Sequence, residues 1–125
     1  ALRSHHCISN NIPVFLITAR PEGKQNRHFT RKMLNENCLI GYKKLYMMPQ
    51  SLSSTWNNIS LFKFSTREYI SKKFFIIASF GDMWTDHILF PTSNCNIKQL
   101  IRCSKSDDCL LWFYDKTCYV KLPQS

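Results

Sequence analysis

The placement of the cysteines constrains this chain more than any other feature. Its 125 residues contain six cysteines, and four of them lie in the last third, at Cys95, Cys103, Cys109 and Cys118. None forms a CxxC pair and none stands near a histidine at the spacing of a zinc site, so disulfides are favoured over a metal or redox motif. Because disulfides persist in oxidising compartments, we expect a secreted, extracellular protein with no cofactor and no metal.

Length and composition predict one domain over residues 1–125. The chain is 44% hydrophobic and 14% aromatic, which is enough for a single core. Its apolar runs are far shorter than the ~20 residues that cross a bilayer, so we expect no membrane segment. The sequon Asn58-Ile59-Ser60 predicts a glycan on Asn58 and agrees with secretion. We expect a monomer.

The charge of the chain predicts an anionic partner. Seventeen Lys and Arg residues face eight Asp and Glu residues, a net charge of +9. The stretch "RPEGKQNRHFTRK" concentrates this charge, and Pro21 and Gly23 make its start a loop. We predict a partner-binding basic loop, with a merely solvated surface as the alternative; its residues are Arg20, Lys24, Arg27, Arg31 and Lys32. Nucleic acid is a poor partner because no nucleic-acid-binding motif accompanies the charge.

Short segments rich in β-branched and aromatic residues predict an all-β fold, an antiparallel sandwich or barrel. Seven strand candidates cover residues 12–18, 38–48, 58–66, 73–80, 86–90, 95–101 and 109–116. Gly81-Asp82 reads as a hairpin turn after the fourth of them. "REYISKK" fits a helical turn or an eighth strand, and only "FTRKMLNEN" has helical periodicity, so little helix is expected.

Several of these segments resemble the tick salivary lipocalins. "WTDHILF", "NCNIKQLI" and "CLLWFYD" are similar to the closing strands of that family, and "VFLITAR" and "NENCLIG" to its first two strands. The resemblance implies a small lipocalin-like β-barrel of seven or eight strands. The interval from Cys38 to Cys95 is short for the family, as if a strand or hairpin were trimmed.

The resemblance also implies a ligand-binding barrel interior. Amine-binding members hold their cation with three carboxylates, and the matching positions here are Asp86, Asn96 and Leu110. With one carboxylate in three retained, an anionic ligand is favoured over an amine. Lys98 is on the face of Asn96 and would meet the acidic group of the ligand if that face lines a cavity; the alternative is a lysine that extends into water at the barrel rim. The predicted interior residues are Trp84, Asp86, Asn96, Lys98, Leu110 and Trp112.

Three disulfides are predicted. The family pairing implies Cys95–Cys118. Cys103 and Cys109 flank the polar turn "SKSDD" and are expected to pair across it, and Cys7–Cys38 is then the third pair.

Four functions compete. The resemblance and the charge favour a secreted, non-catalytic binding protein that suppresses host defence, in complement, haemostasis or inflammation. Its partner would be a host protein with an acidic surface or a small anionic lipid. The alternatives are a biogenic-amine scavenger and a PAN or apple adhesion module, the latter suggested by "CSKSDDCLLWFYDKTCYV". Catalysis is not expected, because the available histidines, His5, His6, His28 and His87, form no catalytic motif.

Overall fold

The computed structural model of the protein describes residues 11–81, 110–114 and 117–121. Its elements, in chain order, are β1 (Phe15–Pro21), α1 (Lys24–Glu36), β2 (Lys44–Met48), α2 (Trp56–Ser71), β3 (Ala78–Gly81), β4 (Leu110–Tyr114) and β5 (Thr117–Lys121). The chain divides into two compact units between Ser53 and Ser54. Strands and helices alternate through β3, which is the order of an α/β protein.

The first unit is built on a β-α-β crossover. Strands β1 and β2 pair in parallel, from Phe15 opposite Lys44 to Thr18 opposite Met47. Parallel neighbours cannot be joined by a hairpin, and α1 supplies the long connection that they need. The register shifts after Thr18, so that Pro21 lies opposite Met48 and β1 bulges before its end.

Backbone conformation explains where α1 begins and ends. Gly23 precedes the helix with φ 151° and ψ 149°, a combination open almost only to glycine. Its carbonyl accepts the Arg27 N–H at 2.7 Å. At the other end Cys38 has a left-handed φ of 60°, and the Leu39 N–H reaches back to the Leu34 carbonyl at 2.8 Å. This is the geometry of a Schellman-type helix end.

The buried part of the first unit lies along β2 and one side of α1. Leu45, Met47 and Met48 are all buried, and Met48 is 1% exposed. On α1 the buried residue is Thr30, whose hydroxyl donates to the Asn26 carbonyl at 2.8 Å. That bond satisfies the hydroxyl within the helix, so burying it leaves no unpaired polar atom.

In the second unit, α2 begins with a side-chain cap. The Thr55 hydroxyl accepts the Asn58 N–H at 3.2 Å, as expected of threonine at a helix N-cap. The buried residues Ser60, Thr66 and Ile70 recur along one side of this helix. The Thr66 hydroxyl donates to the Phe62 carbonyl at 2.7 Å, which accommodates it in the interior.

The sheet of the second unit has the strand order β3-β5-β4. Strands β4 and β5 pair antiparallel, with Tyr114 opposite Thr117, and β3 pairs in parallel with β5. The Thr117 hydroxyl donates to the Ile76 carbonyl at 2.7 Å, which ties the start of β5 to the segment before β3. Val120 of β5 is buried.

The predicted all-β, lipocalin-like barrel is wrong. The strands described here form two small sheets, each containing a parallel pair, and in these ranges no barrel closes. The segment 58–66, predicted as a strand, lies in α2. Each of the segments 12–18, 38–48, 73–80 and 109–116 overlaps a strand, whereas 86–90 and 95–101 lie outside the described residues.

The predicted basic loop is also a different structure. The residues after Gly23 form the thirteen-residue helix α1, so of the five predicted loop residues only Arg20 lies outside it, in β1. Pro21 and Gly23 were interpreted as breaking periodicity, whereas here they end β1 and precede a helix start. The predicted hairpin turn begins at Gly81, the last residue of β3, and its remainder lies outside the described residues.

Candidate functional site

An ion pair between Glu22 and Arg27 links the connection after β1 to the first turn of α1. The Arg27 guanidinium donates to the Glu22 carboxylate through Nε at 2.8 Å and through Nη2 at 2.7 Å. Nη2 also donates to the Leu45 carbonyl at 3.2 Å. One side chain therefore joins the turn, the helix and β2, in the two-pronged geometry that arginine favours with carboxylates.

This pairing stabilises the charged form of both groups. The hydrogen bonds from Arg27 hold the pKa of Glu22 below its ordinary value, and partial burial opposes that effect. The same hydrogen bonds raise the pKa of Arg27. Because this guanidinium is occupied within the unit, Arg27 is a structural residue, and it does not belong with the partner-binding cations predicted from the sequence.

Arg20 is held elsewhere. Its Nη2 lies 3.2 Å from the Met33 Sδ, so the guanidinium extends along one side of α1. Its backbone N–H donates to the Thr18 hydroxyl at 3.2 Å, inside the bulge of β1.

Gly23 leaves room for a neighbouring side chain at the turn before α1. A Cβ on Gly23 would lie 2.6 Å from Gln50 Nε2, so the Gln50 side chain packs directly against the Gly23 backbone.

The remaining predicted cations share one side of α1. Lys24, Arg31 and Lys32 are exposed, and the spacing of three to four residues places them with His28 on one helix surface. We call these four residues the basic face of α1. It extends over about 12 Å at a rise of ~1.5 Å per residue. The sequence prediction of the basic loop does not include His28, although the i+4 spacing of His28 from Lys24 indicates this face.

Two carboxylates lie near the basic face: Glu22 before the helix, whose pKa the charge of Arg31 helps to lower, and the exposed Glu36, one helical turn after Lys32. Within residues 11–81 none of its four side chains forms an ion pair, and the nearest carboxylate before the helix, Glu22, is engaged by Arg27. The exposed Asn35 continues the face. Phe29 is 55% exposed but points about 100° around the helix from His28, so it lies beside the face and not on it.

The charges on α1 oppose the helix dipole. The first turn contains no acidic residue and begins with Lys24, while the last turn contains no basic residue and ends at Glu36. The amino end of a helix favours anions and its carboxyl end favours cations, so Lys24 and Glu36 are unfavourably placed, whereas Arg31 and Lys32 lie outside the two end turns in which the dipole is felt. Charges that oppose local stability are expected at sites used for something other than folding.

Most of the predicted barrel-interior residues cannot be placed. Trp84, Asp86, Asn96 and Lys98 lie outside the described residues. Leu110 and Trp112 lie in β4, where their backbones pair with Lys121 and Tyr119 of β5 in an open sheet and not in a barrel wall.

The covalent predictions stay predictions. Cys38 is exposed after α1 and Cys118 is half-buried in β5, while their predicted partners, Cys7 and Cys95, lie outside the described residues, as do Cys103 and Cys109. Asn58 lies in the first turn of α2 and is half-buried. Ser60 of the same sequon is fully buried, so a glycan on Asn58 would have to attach beside a packed helix side.

Other kinds of site are not seen in the described part of the chain. Among those residues, His, Cys, Asp and Glu side chains do not gather in groups of three that could hold a metal ion. Neither helix is both long and apolar enough to span a membrane. In comparisons with protein-family models, curated proteins and solved structures, the chain matches none of them.

Proposed function

We propose that this chain is a binding protein that recognises an anionic partner through the basic face of α1. A single observation carries the proposal: three exposed cations, Lys24, Arg31 and Lys32, share one side of α1 with the exposed His28, and within the described residues none of them forms an ion pair.

Only part of the predicted function is retained. Suppression of host defence and the binding of a lipid inside a barrel both came from the resemblance to tick salivary lipocalins. The described residues do not form that barrel, so the proposal keeps the anionic partner, which the charge and the geometry of α1 support. We propose that the chain is non-catalytic and secreted, because its cysteines favour disulfides and its histidines form no catalytic motif.

Adjacent pairs of exposed cations allow a matched test. Arg31→Gln/Lys32→Gln removes two charges from the basic face, and Lys72→Gln/Lys73→Gln removes two charges from exposed residues at the end of α2. Binding would be measured to heparin, oligo-dT, poly-glutamate and phosphatidylserine vesicles. We expect the first variant to lose binding and the second to keep most of it. Equal losses would overturn the proposal, since they would report only net charge.

The parallel pairing of β1 and β2 favours a second function. In open α/β sheets, ligands bind outside the carboxyl ends of the strands. Here those ends lead into Gly23 and Gln50, beside the amino end of α1, where the helix end favours a small anion such as phosphate as long as Arg27 keeps the nearby Glu22 carboxylate paired. Enzymes of the α/β class use the same edge, so this function would make catalysis an open question again.

The two functions are separated by one pair of variants. Binding of inorganic phosphate at the strand ends would be lost in Gly23→Ala, because an added Cβ would collide with Gln50 and strain the turn. It would survive in Arg31→Gln/Lys32→Gln. Saturable phosphate binding with that pattern in isothermal titration would favour the second function over the first.

A further inference from the structure

The shape and chemistry of the basic face restrict the kind of anion that fits it. We propose that its ligand is a sulfated glycan chain, an inference that rests on the proposed function. The three cations and His28 project from one side of the convex helix surface, and all four side chains are exposed. They do not converge on one point, so a small anion would meet one or two of them, whereas a linear polyanion would meet all four.

The composition of the face argues against the other polyanions. Binding of single-stranded nucleic acid without a sequence motif relies on aromatic platforms for the bases, and the exposed Phe29 ring lies off the face, turned edge-on to His28 at 6.0 Å between ring centroids. A stable protein interface needs buried apolar or aromatic anchors at its centre. Binding to a membrane surface needs apolar side chains that insert beside the cations. Beside the basic face, α1 exposes a single large apolar side chain, Phe29, which is fewer than either mode of binding uses.

A sulfated glycan needs neither stacking nor apolar contacts. Its sulfates accept hydrogen bonds from cations, and Arg31 can engage one with two parallel N–H groups. Its hydroxyl groups can pair with the amide of Asn35, which is exposed at the end of the face. Binding would release counterions along the chain, so affinity should fall steeply with salt, as for other linear polyanions.

Sulfation is the property to test. The full-length oxidised protein would be titrated with a heparin hexasaccharide and with the same hexasaccharide after complete desulfation and re-N-acetylation, which retains its carboxylates. We expect desulfation to abolish measurable binding. We expect Arg31→Gln/Lys32→Gln to weaken heparin binding by at least about tenfold, since charge-assisted hydrogen bonds are lost, and Lys72→Gln/Lys73→Gln to weaken it by less than about threefold.

The remaining outcomes separate the two proposals. Equal affinity for sulfated and desulfated chains would overturn the glycan inference. Tighter binding of oligo-dT, poly-glutamate or phosphatidylserine vesicles than of heparin would also overturn the glycan inference. If that tighter binding were still lost in Arg31→Gln/Lys32→Gln, the proposed function would hold. Loss of heparin binding to the same extent in both double variants would overturn both, as would the absence of binding to every probe.

Discussion

The Arg27 guanidinium donates two hydrogen bonds, of 2.8 and 2.7 Å, to the Glu22 carboxylate, and its Nη2 also donates to the Leu45 carbonyl of β2. This contact decides which cations of α1 remain available for a partner. It makes Arg27 part of the fold, whereas Lys24, His28, Arg31 and Lys32 face solvent.

Arg27→Gln should therefore destabilise the protein. The substitution leaves the Glu22 carboxylate and the Leu45 carbonyl without their donor, and a loss of about 1–2 kcal/mol in the free energy of unfolding is expected for half-buried groups. Urea denaturation measures it. Arg31→Gln is the matched control and should change stability by less than about 0.5 kcal/mol. If the two variants were equally stable, the structural role of Arg27 would be refuted.

The lowered pKa of Glu22 predicts a dependence of stability on pH. A carboxyl whose pKa is lower in the folded state stabilises the protein above its ordinary pKa, here 4.5, and that contribution is lost as pH falls through the folded-state value. Wild type and Glu22→Gln should differ most in unfolding free energy near neutral pH and converge in acid. A difference that stayed constant from neutral to acid pH would show that Glu22 acts through packing and not through charge.

Substitutions at Cys38 separate its covalent role from its backbone role. A Cys7–Cys38 disulfide is expected to be worth ~2–4 kcal/mol, so Cys38→Ser should lower stability by that amount under oxidising conditions. Cys38→Gly should be about 1 kcal/mol more stable than Cys38→Ser, since glycine adopts the left-handed φ of 60° without strain. Thermal unfolding with and without reductant measures both effects. A Cys38→Ser protein as stable as the oxidised wild type would exclude the disulfide.

The sequence predicted strand segments better than it predicted their arrangement. β-branched and aromatic residues indicate the segments around β1, β3 and β4. The parallel pairing of β1 with β2 depends on contacts between residues distant in sequence, and a local pattern carries no information about such contacts. The segment 58–66 has the same composition as a strand, yet the Thr55 cap and the spacing of Ser60, Thr66 and Ile70 make it helical. The cap is supplied by Thr55, a residue outside the segment, so the composition of the segment itself does not show it.

The candidate site was found only in part for a similar reason. The cluster of cations was visible, but separating Arg27 from its neighbours required knowing that Glu22 lies within reach across the turn. Once α1 is known to be a helix, the i+4 spacing adds His28 to the basic face without further information.

Lys24→Glu should affect stability and binding in opposite directions. A glutamate at the first position of α1 would match the helix dipole and raise the free energy of unfolding by about 0.3–1 kcal/mol. The same charge reversal should weaken heparin binding, because it places a carboxylate on the basic face. Lys73→Glu, just past the carboxyl end of α2, is the charge-matched control: it should leave heparin binding little changed and lower stability slightly, because it places a negative charge at that end of a helix. If Lys24→Glu lowered stability, the argument from the helix dipole would fail.

The most direct test of the basic face is to map its contacts by nuclear magnetic resonance. Backbone amide shifts would be followed in ¹⁵N-labelled protein while a heparin hexasaccharide is added, and the exposed cations Lys72 and Lys73 would serve as an internal reference. The account predicts that shifts concentrate on Lys24, His28, Arg31, Lys32 and Asn35. Shifts spread evenly over exposed lysines and arginines, or centred on Lys72 and Lys73, would contradict it.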